Sequence, residues 1–285
     1  MSTHHLPESE VISVHIEDHI ATVWLDREEQ MNAFAPDFWV DLPRIMESLG
    51  DDPAVRVIVI AARGKAFTVG IDLKAFGPSM MAGGGLDDSD GQPVSGVAKR
   101  RDLYRSVKKL QQTFTAIADC PKPVIAAIHG YCIGAGVDLI TACDIRFASR
   151  DTVFSVRETQ IAMVADVGTM QRLPKIIDPG RVAELVFTGK DFGAAEAFEM
   201  GLISRIASDA GDVQKQAHDV ARAIAANSPL AVQGSKAVLK AGEGRSINDA
   251  LDYVALWNSS FISSNDFTEA ITAFMEKRPP EFTGQ

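Results

Sequence analysis

Few residue types in this chain can move a proton at neutral pH. Four of the six histidines, His4, His5, His15 and His19, crowd the N-terminal end. A Ser-His-Asp or Cys-His site would therefore have to use His129 or His218. His129 closes an apolar run, a setting where histidine is more often a satisfied structural group than a base. No HExxH spacing occurs, and no metal is expected. Cys120, Cys132 and Cys143 are odd in number and form no CxxC pair. They read as small apolar residues in a reducing compartment rather than as a disulfide framework or a zinc site. Carboxylates remain as the acid–base groups.

Backbone groups offer a second chemistry. Gly134-Ala135-Gly136 follows an apolar run and opens a helical one. A GxGxxG dinucleotide fingerprint would need glycine at position 139, which is Leu139, so no nicotinamide site is expected. Small residues at a helix N-terminus still expose N–H groups and a positive dipole end, which can hold an oxyanion. The same turn could also be purely structural. Residues 66–73, AFTVGIDL, form a comparable turn after an apolar strand.

The elements that would position these groups follow from patterning. The runs 11–17 and 19–25 are rich in β-formers, with Glu17-Asp18 between them suggesting a hairpin. A helix is predicted over 36–49, entered by Pro36 and carrying Phe38, Leu42, Ile45 and Leu49 at helical spacing. Pro43 falls inside it and is expected to kink it. VRVIVIA at 55–61 has the continuous apolar character of a strand covered on both faces. Residues 77–98 are rich in Gly, Ser, Asp and Pro and read as a mobile loop. Its DDSDG string fails the calcium-loop pattern, with Leu86 at the first ligand position and Val97 at the last. A helix over 99–118, a strand over 124–129, a helix over 134–142 and a strand over 144–149 follow. From Gly168 onward only helices are expected, and the alternation implies a layered α/β core with a helical C-terminal part.

Composition narrows the function classes. With 28 Lys and Arg against 38 Asp and Glu, the 285-residue chain carries 28 − 38 = −10 formal charges. That balance disfavours nucleic acid and anionic membrane as partners, an RNA-binding role included. Apolar residues make up 46% and charged residues 23%, the profile of an ordinary globular chain. No apolar run reaches membrane-spanning length. Residues 1–10 show no signal or transit pattern, and the cytoplasm is the expected compartment.

Several strings together carry a family resemblance. AFTVGIDL at 66–73 resembles the AFxAGxDL segment of the crotonase (enoyl-CoA hydratase/isomerase) superfamily. PKPVIAAIHGYCIGAGVDLITACDIRFAS at 121–149 resembles its PKPxIAAxxGxxxGGGxxLxxxCDxRxA segment. GTMQRLPKIID at 168–178 and AFMEKRPPEF at 273–282 are similar to later landmarks. The resemblance implies a ββα spiral core over 1–210, and over 211–285 a helical region for trimer or hexamer assembly. It implies an acyl-CoA thioester substrate, coenzyme A being part of that substrate, and no separate cofactor. Two backbone N–H groups, those of Ile71 and Ala135, would bind the thioester oxygen as an enolate forms. Gly70, Asp72, Leu73 and Gly136 would lie along the substrate. Lys277-Arg278 could approach the phosphates, or could simply complement a helix end.

The hydratases of that family hold a water between two glutamates, whose positions fall on Asp138 and Glu158. The site before the GTxQRL-like segment is typically glycine there and is Asp166 here. Asp138, Glu158 and Asp166, in this order and at this spacing, resemble the Δ3,5-Δ2,4-dienoyl-CoA isomerase subgroup. That reaction removes a proton at C2 and adds one at C6, four bonds away, which calls for two fixed carboxylates. Resemblance suggests Glu158 and Asp166 as the pair, with Asp138 orienting or polarising. Which of the two serves C2 stays open, as does hydration of 2-enoyl-CoA by Asp138 and Glu158. Asp166 could also be a helix cap, and Leu103 and Val107 could face either an acyl tail or the core.

Overall fold

The computed structural model describes residues 6–81 and 96–285. A hairpin opens it, β1 (Ile12–Glu17) pairing antiparallel with β2 (Ile20–Leu25). Its two turn residues, Asp18 and His19, both have positive φ, 48° and 65°. Such a turn matches the right-handed twist of the strands it joins. Helix α1 (Pro36–Asp51) leads to β3 (Val57–Ala62), and α2 spans Leu73–Met81. Helix α3 (Gly96–Asp119) precedes β4 (Val124–Ile128), β5 (Tyr131–Ile133) and α4 (Ala135–Ala142). Then come β6 (Ile145–Ser149), β7 (Val153–Ser155), α5 (Thr169–Arg172) and α6 (Pro179–Thr188). The chain continues through β8 (Phe192–Gly193), α7 (Ala194–Glu199), β9 (Arg205–Ala207) and α8 (Ala210–Ala225). Helices α9 (Pro229–Ala241), α10 (Ile247–Phe261) and α11 (Asn265–Glu276) close it.

The larger sheet runs β1-β2-β3-β4-β6-β9 and is parallel from β2 onward. β5, β7 and β8 form a smaller second sheet. Strand β3 is buried along its whole length, as its continuous Val/Ile run requires. Alternate side chains serve opposite faces: Ile58 and Ile60 join the main core under α1 and α4, and Val57 and Val59 join a second cluster. That second face is covered by Val213, Ala217, Ala221 and Ala225 of α8, at a four-residue spacing. The core layer thus runs through Ala225, past the boundary expected at 210. By contrast α10 buries no residue and α9 only Gly234.

Two expectations change. The C-terminal part is not helices alone, because β9 extends the main sheet beside β6 and β8 the smaller one. The loop expected over 77–98 is trimmed from both sides, by α2 to Met81 and by α3 from Gly96; its centre, 82–95, lies outside the described residues. Pro43 does not end α1. Proline has no N–H to give the carbonyl four residues back, here Trp39, and the buried Thr113 hydroxyl of α3 donates to that oxygen instead, at 3.0 Å.

Candidate active site

A cavity of about 340 Å³ opens among α2, α3, the 69–71 segment, the start of α4 and the loop 157–167. Its wall is mostly apolar, with Trp39, Phe76, Leu103, Val107, Leu110 and Met163 contributing. Leu103 and Val107 therefore face the cavity. Glu158 and Asp166 line it as well.

Each backbone N–H of the 69–72 segment is committed except one. Val69 N donates to Met31 O, Gly70 N to Thr68 Oγ1 and Asp72 N to Phe34 O. The Ile71 N–H between them takes no acceptor among the described residues. Across the cavity floor, Gly134 N donates to Ser155 O. Ala135 is the first residue of α4, so its N–H has no intrahelical acceptor. Gly70 brings the two segments together. A Cβ there would lie 2.7 Å from Ile133 O and 3.2 Å from Ala135 N, and its φ of +84° suits glycine. Two uncommitted N–H donors are thus presented side by side, the arrangement that stabilises a forming oxyanion.

The Glu158 carboxyl stands next to these donors: a Cβ on Gly134 would sit 3.4 Å from Glu158 Oε1. Its other oxygen, Oε2, is sealed from solvent and has no hydrogen-bond partner among the described residues. Burial and then the charge of Asp166 push Glu158 above the usual glutamate range. Burial raises Asp166 too. Asp166 does not cap α5; Gly168 occupies that place without a side-chain cap.

Asp138 lies behind this wall, 1% exposed and not among the cavity-lining residues. Its Oδ1 accepts the N–H of Thr169, the first residue of α5. Oδ2 has no hydrogen-bond partner among the described residues. Burial, reinforced by Glu158, raises Asp138 to about 7.

Other expected site residues have different surroundings. Gly70, Ile71 and Leu73 line the cavity, whereas Asp72 and Gly136 do not. Asp72 accepts from the N–H groups of Lys74 and Ala75 at the start of α2 and pairs with Arg27 at 3.2 Å. A Cβ on Gly136 would meet Thr68 Cγ2 at 2.6 Å, so glycine is there for close packing. Arg278 is held by Glu269 and Glu276 of its own chain, and Lys277 closes α11 in a left-handed conformation. Asp144 accepts from Val124 N and pairs with Lys236. Among the histidines, His129 bonds Gly64 O and His218 bonds Thr22 and Gln214. Neither lines the cavity. Sequence reasoning missed Arg157, a cavity-lining residue paired with Asp191. Its position next to Glu158 is the only sequence signal for it.

The model of the family described as enoyl-CoA hydratase/isomerase matches residues 15–285. The chain belongs to that family. A peroxisomal Δ3,5-Δ2,4-dienoyl-CoA isomerase of Arabidopsis thaliana is 41% identical over 276 residues, 96% of each chain. A mitochondrial protein of the same description from Mus musculus is 40% identical over 284 residues, 98% of this chain and 82% of its own. Among solved structures, an enoyl-CoA hydratase from Bacillus anthracis superposes with a TM-score of 0.85 at 29% identity, covering 97% of this chain and all of the other. The crotonase fold expected from the motifs is therefore present. The two isomerases are named for peroxisome and mitochondrion, which lends no support to the cytoplasmic expectation. No helix among the described residues is long and apolar enough to cross a membrane.

Proposed function

We propose that this family member isomerises 3,5-dienoyl-CoA to 2,4-dienoyl-CoA, as its Arabidopsis and mouse relatives are named to do. The observation that carries the reading is the division among the three carboxylates. Glu158 and Asp166 face the cavity, while Asp138 is withdrawn behind them and occupied by the Thr169 N–H. A hydratase would need Asp138 and Glu158 to converge on one water at the substrate, and Asp138 does not reach the cavity wall.

The thioester oxygen accepts the Ile71 and Ala135 N–H groups. Glu158, beside those donors, takes the C2 proton, and the electron pair left on C2 spreads to the thioester oxygen and along the diene. Asp166, in its protonated form, gives its proton to C6; the double bonds end at C2–C3 and C4–C5. One proton leaves carbon and one returns, so the substrate keeps its formula. Asp138 holds the loop before α5. An apolar wall suits this chemistry, since burial raises both acids above their ordinary range and the wall excludes water from the dienolate. The substrate's tail lies against Leu103, Val107 and Leu110.

Assembly as a trimer or hexamer belongs to the same proposal. Leu239, Ile247, Leu256, Phe274 and Met275 of α9–α11 are all more than half exposed in the single chain, and apolar surface on this scale favours burial against another copy. Light scattering on the purified protein measures the copy number.

The reading is tested by conversion of 3,5-octadienoyl-CoA, followed as growth of the conjugated 2,4-diene absorbance. Asp166→Asn is expected to abolish it.

A further inference from the structure

Three hydrogen bonds hold the loop that presents Asp166. Thr169 N–H is accepted by Asp138 on α4. Arg172 Nη1 donates to Val167 O at 3.4 Å. The third acts on the acid residue itself: Gln111 Nε2, on α3, donates to the Asp166 carbonyl oxygen at 2.7 Å. No other donor reaches that oxygen among the described residues.

The sense of the Gln111 amide is fixed from its other end. Lys108, one turn earlier on α3, donates to Gln111 Oε1 at 2.7 Å. An ammonium group only donates, so the amide oxygen must face Lys108 and the NH₂ must face Asp166. Gln111 follows Leu110 directly, and Leu110 and Val107 of the same helix line the cavity. Gln111 does not line it. Just beyond Asp166, Gly168 has a φ of +139°, a conformation open to glycine. The loop thus turns at Gly168 on one side of Asp166 and is pinned by the Gln111 bond at Asp166.

We infer that Gln111 is a positioning residue for one of the two proton transfers: it fixes the Asp166 backbone against α3 so that the carboxyl stands at its reacting carbon. The role rests on the isomerase reading above. It acts on Asp166 and not on Glu158, whose position is set beside Gly134. Shifting a reacting group by about 1 Å can cost on the order of a hundredfold in rate. Losing Gln111 should therefore slow the transfer that Asp166 performs and leave the other intact.

The test compares wild type, Asp166→Asn, Gln111→Leu and Gln111→Glu in deuterated buffer with 3,5-octadienoyl-CoA. Conversion is read by diene absorbance, and deuterium at C2 and C6 of recovered substrate and product by mass spectrometry and NMR. Gln111→Leu is expected to lower kcat about ten- to a hundredfold with little change in KM. The exchange that survives in Asp166→Asn should survive in it at the wild-type rate. Gln111→Glu should recover relative to Gln111→Leu as pH falls, because only the protonated carboxyl can donate to the Asp166 carbonyl. Loss of both exchanges in parallel would make Gln111 a general structural residue and overturn the role. So would conversion within twofold of wild type. Failure of the wild type to convert the diene would instead overturn the isomerase reading, and this role with it.

Discussion

Asp138, in the first turn of α4, accepts the backbone N–H of Thr169, the residue that opens α5. This buried bond joins positions far apart in sequence. It ties the helix that offers the Ala135 N–H to the loop that offers Asp166. The Ala135 N–H and Asp166 are thereby held in one frame, as the proposed mechanism requires.

Asp138 should make stability depend on pH. Burial lifts its folded-state value from 3.8 to about 7, so the native state binds the proton more tightly than the unfolded chain. Its contribution is fully present below the unfolded value and is lost as pH rises through about 7. In Asp138→Asn the amide oxygen can still accept from Thr169, but nothing titrates. Melting scans between about pH 5 and 8 should show wild type losing more Tm than Asp138→Asn. Equal losses would show that Asp138 is not the titrating group.

Activity should follow a bell-shaped pH profile. In the proposed mechanism Glu158 must be ionised to accept a proton and Asp166 protonated to give one. Burial raises both, and the charge of Asp166 raises Glu158 further. The acidic limb of kcat/KM is therefore expected above 4.5, the ordinary glutamate value. The two limbs belong to the pair. Glu158→Gln should remove the acidic limb along with most of the activity. A profile flat from about pH 4 to 9 would contradict the assignment.

Gly70→Ala should damage the site without unfolding the protein. The new methyl would lie 2.7 Å from Ile133 O, in a backbone conformation that disfavours a side chain. Relief requires the 69–71 segment to move away from α4, taking the Ile71 N–H with it. Losing one oxyanion donor costs about 10²–10³ in kcat. Steady-state kinetics should show a loss of this order. A near-normal kcat would mean that Ile71 N–H does not meet the thioester oxygen.

Thr113 and Pro43 should be coupled in stability. Thr113→Val leaves the buried Trp39 carbonyl without its donor, at a cost of about 1–3 kcal/mol. Pro43→Ala restores an N–H inside α1, so Thr113→Val should cost markedly less in that background. Denaturant titrations of the four proteins measure the coupling. Strict additivity would argue against the compensation.

Residue types and order made much of this legible. The β3 run is apolar at every position because both faces are covered, and its burial followed from that alone. Ile71 and Ala135, the donors of the proposed mechanism, lie in glycine-bearing turns whose motif spacing survives in sequence. The short strands were less visible. β5, β7 and β9 are each too short to show a period of two, and β9 pairs with β6, a strand from much earlier in the chain. The donor that compensates Pro43 could not be read either, because Thr113 sits far along the chain on α3. Gln111 looks like any polar helix position until tertiary structure brings Asp166 to it. Asp138 could be placed near Glu158 from the motif, but its withdrawal behind the wall depends on α5, which the sequence does not position.

Isomerase and hydratase chemistry are separated by a paired ultraviolet assay on the purified protein and its Asp166→Asn variant, with 3,5-octadienoyl-CoA in one cuvette and crotonyl-CoA in the other. Wild type is expected to give rapid growth of the 2,4-diene chromophore, the variant to lose it, and neither to bleach crotonyl-CoA appreciably. Strong hydration of crotonyl-CoA with no diene conversion would contradict the isomerase reading, and would return Asp138 and Glu158 to a shared water.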